Sequence, residues 1–264
     1  MHQKKSISKF VQMVVQYYRS HGRDMPWRRD TTEYSIFVSE VMLQQTQVAR
    51  VLLKYPVFLQ AFPHFISLAS SSLEDVLRVW QGMGYNRRAK YLWLSAQEIV
   101  GTYQGKLPRN TKKLESLPGI GPATAGSIAA FAFNKKTQFI ETNIRRSILF
   151  HFYPGKIRVD DRDVTKVLEK CLDSIERSKT ISFREWYWAL MDYGSYLASV
   201  VENPNKRSKH YVRQLSFEGS DRQVRGALLR AYLQKGNATI TSPRERRIWD
   251  ALVKEGLVRQ IHSE

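Results

Sequence analysis

Two short helical stretches within Leu114 to Phe133 are separated by Pro118-Gly119-Ile120-Gly121-Pro122, a run through which no regular helix can pass. Proline lacks the amide donor and clashes with the preceding turn, while glycine accepts backbone conformations closed to other residues. The chain must therefore break here between two helices. Glycines let the backbone approach a partner atom closely, and the amides that open the second helix are left unpaired, which suits an anion such as phosphate. An ordinary tight turn between helices would read the same way.

Helical spacing dominates the remainder. Phe10, Met13, Val14, Tyr17 and Tyr18 make one apolar face after Ser8, ending near Gly22. Further helices are expected across 39–48, 51–59, 73–80, 88–102, 143–152, 163–175 and 183–197. Near Asn203-Pro204-Asn205-Lys206-Arg207-Ser208-Lys209 the pattern turns polar and basic and reads as a linker. Beyond it, Ser220-Asp221 can cap a helix reaching about Gln234, and Gly236-Asn237 can turn the chain. Ser242 with Pro243 can start another helix, which Gly256 would end. Short strands are expected over 238–241 and 257–261, so the tail looks like a small winged-helix module.

Forty-two Lys and Arg stand against 24 Asp and Glu, a formal net charge of +18 over 264 residues. That balance suits a polyanion, of which nucleic acid is the commonest. No apolar run approaches the ~18 residues of a membrane span, so no membrane partner is expected. The basic start, Met1-His2-Gln3-Lys4-Lys5, leads into an amphipathic stretch and not an apolar signal core, so a reducing, DNA-containing compartment is expected. A lone cysteine, Cys171, excludes an internal disulfide framework and any four-cysteine metal centre within one chain.

The segment Ser39-Glu40-Val41-Met42-Leu43-Gln44-Gln45-Thr46-Gln47-Val48 places one carboxylate at the head of an amide-rich run. Ser39, Glu40, Leu43, Gln44 and Gln47 share one face if the whole run is helical. The ten residues resemble the signature of adenine DNA glycosylases, the MutY family of helix-hairpin-helix base-excision enzymes. Leu117-Pro118-Gly119-Ile120-Gly121-Pro122-Ala123-Thr124-Ala125 resembles the hairpin of the same fold. The resemblance spans roughly residues 10 to 200 and implies a mainly α, two-lobed glycosylase domain over 1–215. The winged-helix-like module would occupy 216–264.

What the resemblance implies can be set against the residues. Glu40 would be the general acid that protonates the leaving base. Glu141, in Phe139-Ile140-Glu141-Thr142-Asn143-Ile144-Arg145-Arg146, stands where the family normally has Asp, and would be the carboxylate that stays ionised. Capping a helix or pairing with Arg145 or Arg146 is the alternative for Glu141. Tyr85 matches the family's intercalating tyrosine, unless it packs in the core. Gln45 matches an inserted amide with Gln44 beside it, Arg87 and Arg88 suit phosphate, and Gly119, Gly121 and Thr124 belong to the DNA-contacting hairpin. Trp27 and Arg28 fall near the base pocket, with a core position equally open for Trp27. Trp188 replaces a Glu or Gln thought to read the adenine edge.

Several departures shape the expected chemistry. Ala123 stands where bifunctional relatives carry a nucleophilic lysine, so water should attack and no Schiff base should form. Ala198 stands at the first ligand position of the family's iron–sulfur cluster and no cysteine follows, so no cofactor is expected. The family's large domain that senses oxidised guanine has no counterpart expected in the short tail. The function expected is monofunctional excision of a mispaired base, adenine opposite guanine or 8-oxoguanine, from double-stranded DNA. A thymine, uracil or modified-base glycosylase and a non-catalytic DNA-structure binder are the alternatives. A monomer is expected, cytoplasmic and nucleoid-associated, or nuclear in a eukaryote.

Overall fold

The computed structural model describes residues 6–212 and 216–260. Along the chain run α1 (Ile7–His21), α2 (Pro26–Arg29), α3 (Glu33–Leu43), α4 (Val48–Ala61) and α5 (Phe65–Ala69). Then come α6 (Leu73–Val79), α7 (Arg87–Tyr103), α8 (Thr111–Glu115), α9 (Pro122–Phe133) and α10 (Thr142–Phe152). The series ends with α11 (Asp161–Ser178), α12 (Phe183–Val200), a 3-10 turn at Pro204–Arg207, α13 (Asp221–Lys235) and α14 (Pro243–Lys254). Among the described residues there is no strand, only an isolated parallel bridge between Val159 and Ser208. The short helices α2 and α5 have too few turns to show a period in the sequence.

Contacts group the chain into two compact units. The first holds the described residues of Met1–Thr32, Arg109–Glu115 and Gly121–Arg213. Its centre is α12, which buries Trp186, Tyr187, Trp188, Ala189 and Leu190 in succession and so meets neighbours on all sides: α1, α9 and α10. α1 buries Phe10, Val11, Val14 and Val15 on one face, is capped by Ser6 rather than Ser8, and stops at Gly22. α10 and α12 approach so closely that a Cβ on Gly194 would lie 2.2 Å from the Asn143 carbonyl oxygen, so only glycine fits there. The stretch 203–209 is not a loose linker. Asn205 is buried and donates to Thr142 O, Arg207 donates to Tyr153 O, and the Val159–Ser208 bridge ties it down.

The second unit holds the described residues of Glu33–Pro108, Ser116–Ile120 and Gln214–Glu264. α3 is buried on nearly every side, from Tyr34 to Ser39 and again at Val41 and Met42. α13 and α14 form where their caps predict: Gly236 closes α13 in the left-handed region, and Ser242 makes a capping box with Glu245. The strands expected over 238–241 and 257–261 are not found among the described residues; Ile261 lies outside them. The tail instead docks through side chains: Lys90 Nζ donates to Glu255 O at 2.6 Å, and Leu228, Leu229, Leu233, Ile248, Trp249 and Leu252 are buried.

Candidate active site and nucleic-acid interface

Within the second unit, α3 ends at Leu43 and does not run on through Val48 as its spacing suggested. Arg88 is the physical reason. Its Nη1 donates to the carbonyls of Val41 (3.0 Å), Met42 (2.8 Å) and Gln44 (2.5 Å), which a continuing helix would have offered to the amides of residues 45, 46 and 48. A cation at this end also complements the helix dipole. Gln45 then turns through φ 54°, and Gln44 leaves the Glu40 face to donate to Gly119 O at 3.3 Å. Glu40 is half-buried, the only residue between 34 and 42 that is not fully buried. A helix otherwise sealed into the core thus opens at one carboxylate.

The same guanidinium organises the Tyr85 loop. Arg88 Nη2 donates to Thr46 Oγ1 (2.8 Å) and Gly84 O (3.2 Å), and the group lies 5.6 Å from the Tyr85 ring centroid. Arg88 is only 8% exposed, so it is a buried staple and not the phosphate contact expected of it from the sequence. Burial draws its pKa down to about 10, which leaves it charged at neutral pH. Arg87 is exposed and sits 3.3 Å from Glu255. Tyr85 is half-buried, outside the core, with φ 47°. It lines a cleft of about 410 Å³ with Gln44, Gln45, Arg87, Arg222 and Arg225. The last two, from α13, were missed in the sequence; their three-residue spacing ahead of Gly226 is the faint signal they left.

The first unit holds the other predicted residues. Glu141 is the N-cap of α10: its Oε1 accepts from the amides of Asn143 and Ile144, both at 2.8 Å. Burial raises its pKa above the ordinary carboxylate value, opposed by those amides and by the charges of Arg146 and Arg145. Neither arginine pairs with it directly. Arg145 forks onto Asp161 at 2.7 and 2.8 Å, and Arg146 donates to Asn143 Oδ1 and Gly194 O. Arg28 forks onto Asp192 at 2.7 and 2.8 Å, and Arg23 adds its backbone amide and Nε. Burial opposes ionisation of Asp192, but Arg28 and Arg23 prevail and hold its pKa below the ordinary value. The Arg28 guanidinium lies 5.3 Å from the Trp188 ring, which stacks on Phe131. Trp27 is buried in the core. Asp192 left a signal that went unread: a lone acid in the apolar run Trp186–Tyr193.

The hairpin glycines differ in kind. Gly119 has φ 75° and a Cβ there would lie 2.8 Å from Tyr91 Cβ, so the fold itself demands glycine. Gly121 has an ordinary φ of −89°, and a Cβ on it would meet nothing within 4 Å. It caps α9 with no side-chain hydrogen bond, and Gly121, Pro122 and Ala123 are exposed while Thr124 is half-buried. The lysines near the hairpin are engaged elsewhere: Lys136 with Asp173 and Glu176, Lys112 with Glu115, Lys135 with Arg109 O.

The residues do not fit the iron–sulfur cluster of the resembling fold. The single thiol, Cys171, is buried in α11 with its pKa pushed up to about 12 by desolvation, the opposite of a metal-ready thiolate. Among the described residues no group of His, Cys, Asp or Glu could hold a metal ion, and no helix is long and apolar enough to cross a membrane.

Comparison with known proteins places this geometry. The profile of the HhH-GPD superfamily base excision DNA repair proteins matches residues 38–188. The adenine DNA glycosylase of Mycobacterium tuberculosis strain H37Rv is 31% identical over 93% of this chain and 88% of its own length. That of Buchnera aphidicola subsp. Acyrthosiphon pisum is 38% identical over 63% of this chain and 47% of its own. A solved thermostable thymine-DNA glycosylase superposes with a TM-score of 0.64, covering 76% of this chain and 91% of that one at 23% identity. The chain belongs to the HhH-GPD superfamily, within its adenine DNA glycosylase family. It spans about half the length of the Buchnera relatives that it matches.

Proposed function

We propose that this chain is a monofunctional DNA glycosylase that excises adenine mispaired with guanine or 8-oxoguanine, in base-excision repair. The observation that carries the reading is Glu40. A helix buried from Tyr34 to Met42 leaves only that carboxylate partly open, with its end stapled by Arg88. A purine leaves most readily when its N7 is protonated, and a half-buried glutamic acid is suited to supply that proton. Glu141 is the carboxylate that stays ionised as cationic character builds on the deoxyribose. Its cap amides favour the charged form against the burial that opposes it. Ala123 offers no amine, so water completes the displacement.

Double-stranded DNA is the partner in this reading, met through the hairpin at Gly119, Gly121 and Thr124 and through Gln44, Gln45, Tyr85 and Arg87. Arg28 and Trp188 belong to the base pocket, and Trp27 supports it from the core. No cofactor takes part, the protein acts as a monomer, and it works at the nucleoid in the cytoplasm, or in the nucleus of a eukaryotic host.

The test is excision from a panel of mismatched duplexes with each strand labelled. Adenine should be lost opposite guanine or 8-oxoguanine, with strand scission only after hot alkali and no borohydride-trapped complex. Loss of thymine or uracil instead would transfer the chain to the rival specificity. Efficient trapping at the rate of base release would mean that a lysine is the nucleophile, and tight binding without any base loss would leave a DNA-structure binder.

A further inference from the structure

Tyr85 occupies the left-handed region at φ 47°, where a bulky residue seldom rests unless its surroundings hold it. Arg88 approaches its ring and also accounts for the loop around it. The hydroxyl, however, is reached from the tail. Arg222 Nη1 donates to Tyr85 Oη at 2.8 Å, and the same guanidinium lies 5.8 Å from the ring centroid. Arg222 is itself constrained: its Nη2 donates to Ser216 O at 3.2 Å and it lies 5.9 Å from the Phe217 ring. Its helix is tethered beyond it, because Glu255 meets both Arg225 and Arg87 and its carbonyl accepts from Lys90.

We propose that α13 is part of the base-extrusion machinery, with Arg222 as a positioning residue that holds Tyr85 ready to fill the gap left by the extruded base. This rests on the glycosylase reading above. A ring that must enter a base stack loses rotamer and backbone freedom on entry, and a ring held beforehand loses less. Arg222 supplies that order through a charge-assisted hydrogen bond and a flat cation over the ring face, both of which a guanidinium provides at once. The cleft of about 410 Å³ lined by Gln44, Gln45, Tyr85, Arg222 and Arg225 leaves room for a backbone segment to enter. The tail therefore acts on extrusion and not on bond cleavage.

The test is stopped-flow fluorescence of 2-aminopurine placed beside the target adenine in a guanine mismatch, with base release followed separately by rapid quench. The full chain is compared with Arg222→Gln, Tyr85→Phe and the double variant. Each single change should slow extrusion about tenfold, the size expected of one charge-assisted hydrogen bond, and the double variant should be no slower than either. Base release after extrusion should be unchanged, and Arg222→Lys, which keeps the charge and a donor, should recover part of the loss. A double variant slowed about a hundredfold would mean that Arg222 acts on the DNA independently of Tyr85, which overturns the proposal. Unchanged extrusion in Arg222→Gln would overturn it too, with the glycosylase reading intact. Wild-type protein that gives no fluorescence change and no base release would instead remove the reading on which it rests.

Discussion

Arg28 and Arg88 are both buried arginines, each with its guanidinium 5.3 Å from a tryptophan ring, over Trp188 and Trp80 respectively. Their partners could hardly differ more. Arg28 forks onto Asp192, so its charge is cancelled where it stands. Arg88 is met by carbonyl oxygens of Val41, Met42, Gln44, Met83 and Gly84 and by the Thr46 hydroxyl, none of them charged. Carbonyl dipoles solvate a cation without neutralising it. The first unit thus uses a buried arginine to close an ion pair, while the second keeps a whole positive charge beneath the Tyr85 cleft, where it adds to the attraction for a polyanion.

If the cationic side of this comparison is where base release is driven, Glu40→Gln should have the largest effect. Excision should fall by about 10²–10⁴, the usual cost of a lost general acid, while duplex affinity stays within several-fold. Single-turnover rates and a binding isotherm on one preparation check both halves. Excision near the wild-type rate would remove Glu40 from the mechanism.

Stability measurements should separate the two arginines. Asp192→Asn leaves the Arg28 guanidinium, whose side chain is buried, without its counter-charge and should cost about 3–5 kcal/mol in denaturant unfolding at neutral pH. Arg88→Met strips donors from the end of α3 and should cost at least as much, at about 1–3 kcal/mol per carbonyl left bare. Their acid behaviour should diverge. Asp192 has a folded pKa below its unfolded value, so its contribution is complete above the unfolded pKa and disappears as pH falls through the folded one. The gap between wild type and Asp192→Asn should therefore close in acid, whereas that for Arg88→Met should persist. Equal acid sensitivity would break the distinction drawn above.

Glu141 carries the comparison into the pH profile. Its pKa is raised by burial, so the ionised form is present above that pKa and is lost as pH falls through it. Base release should decline on an acid limb lying above the ordinary glutamate range, and Glu141→Gln should abolish that limb while slowing the reaction roughly 10²-fold. A variant that keeps the limb would assign it to another group.

The smallest effects are expected at the hairpin. Gly119→Ala must adopt φ 75° against Tyr91 and should destabilise the protein by at least the left-handed conformation's cost of about 1–2 kcal/mol. Gly121→Ala, in open space, should leave the melting temperature unchanged and weaken duplex binding alone. Unchanged duplex binding by Gly121→Ala would mean that no ligand backbone approaches Gly121.

Helix positions were legible wherever a residue's own backbone sets the outcome. Ser242 with Pro243, Gly22 and Gly236 mark ends that form as expected, since caps act within one turn. The run Ser39–Val48 was legible as a motif and misleading as a helix, because its end is set by Arg88, more than 40 residues further along the chain. Still greater separations along the chain hid Asp192 as the partner of Arg28, and Arg222 as the partner of Tyr85.

The sequence by itself determined the family, the nearly all-helical design, the lone cysteine, the alanine at the hairpin and the carboxylates at 40 and 141, since each is a matter of residue type at a local spacing. Tertiary structure decided what those groups face. Desolvation, the direction of a guanidinium fork and the space around a glycine depend on atoms from distant parts of the chain. So Arg88 proved a staple under a motif, Glu141 a cap with a raised pKa, and the basic tail a support for Tyr85.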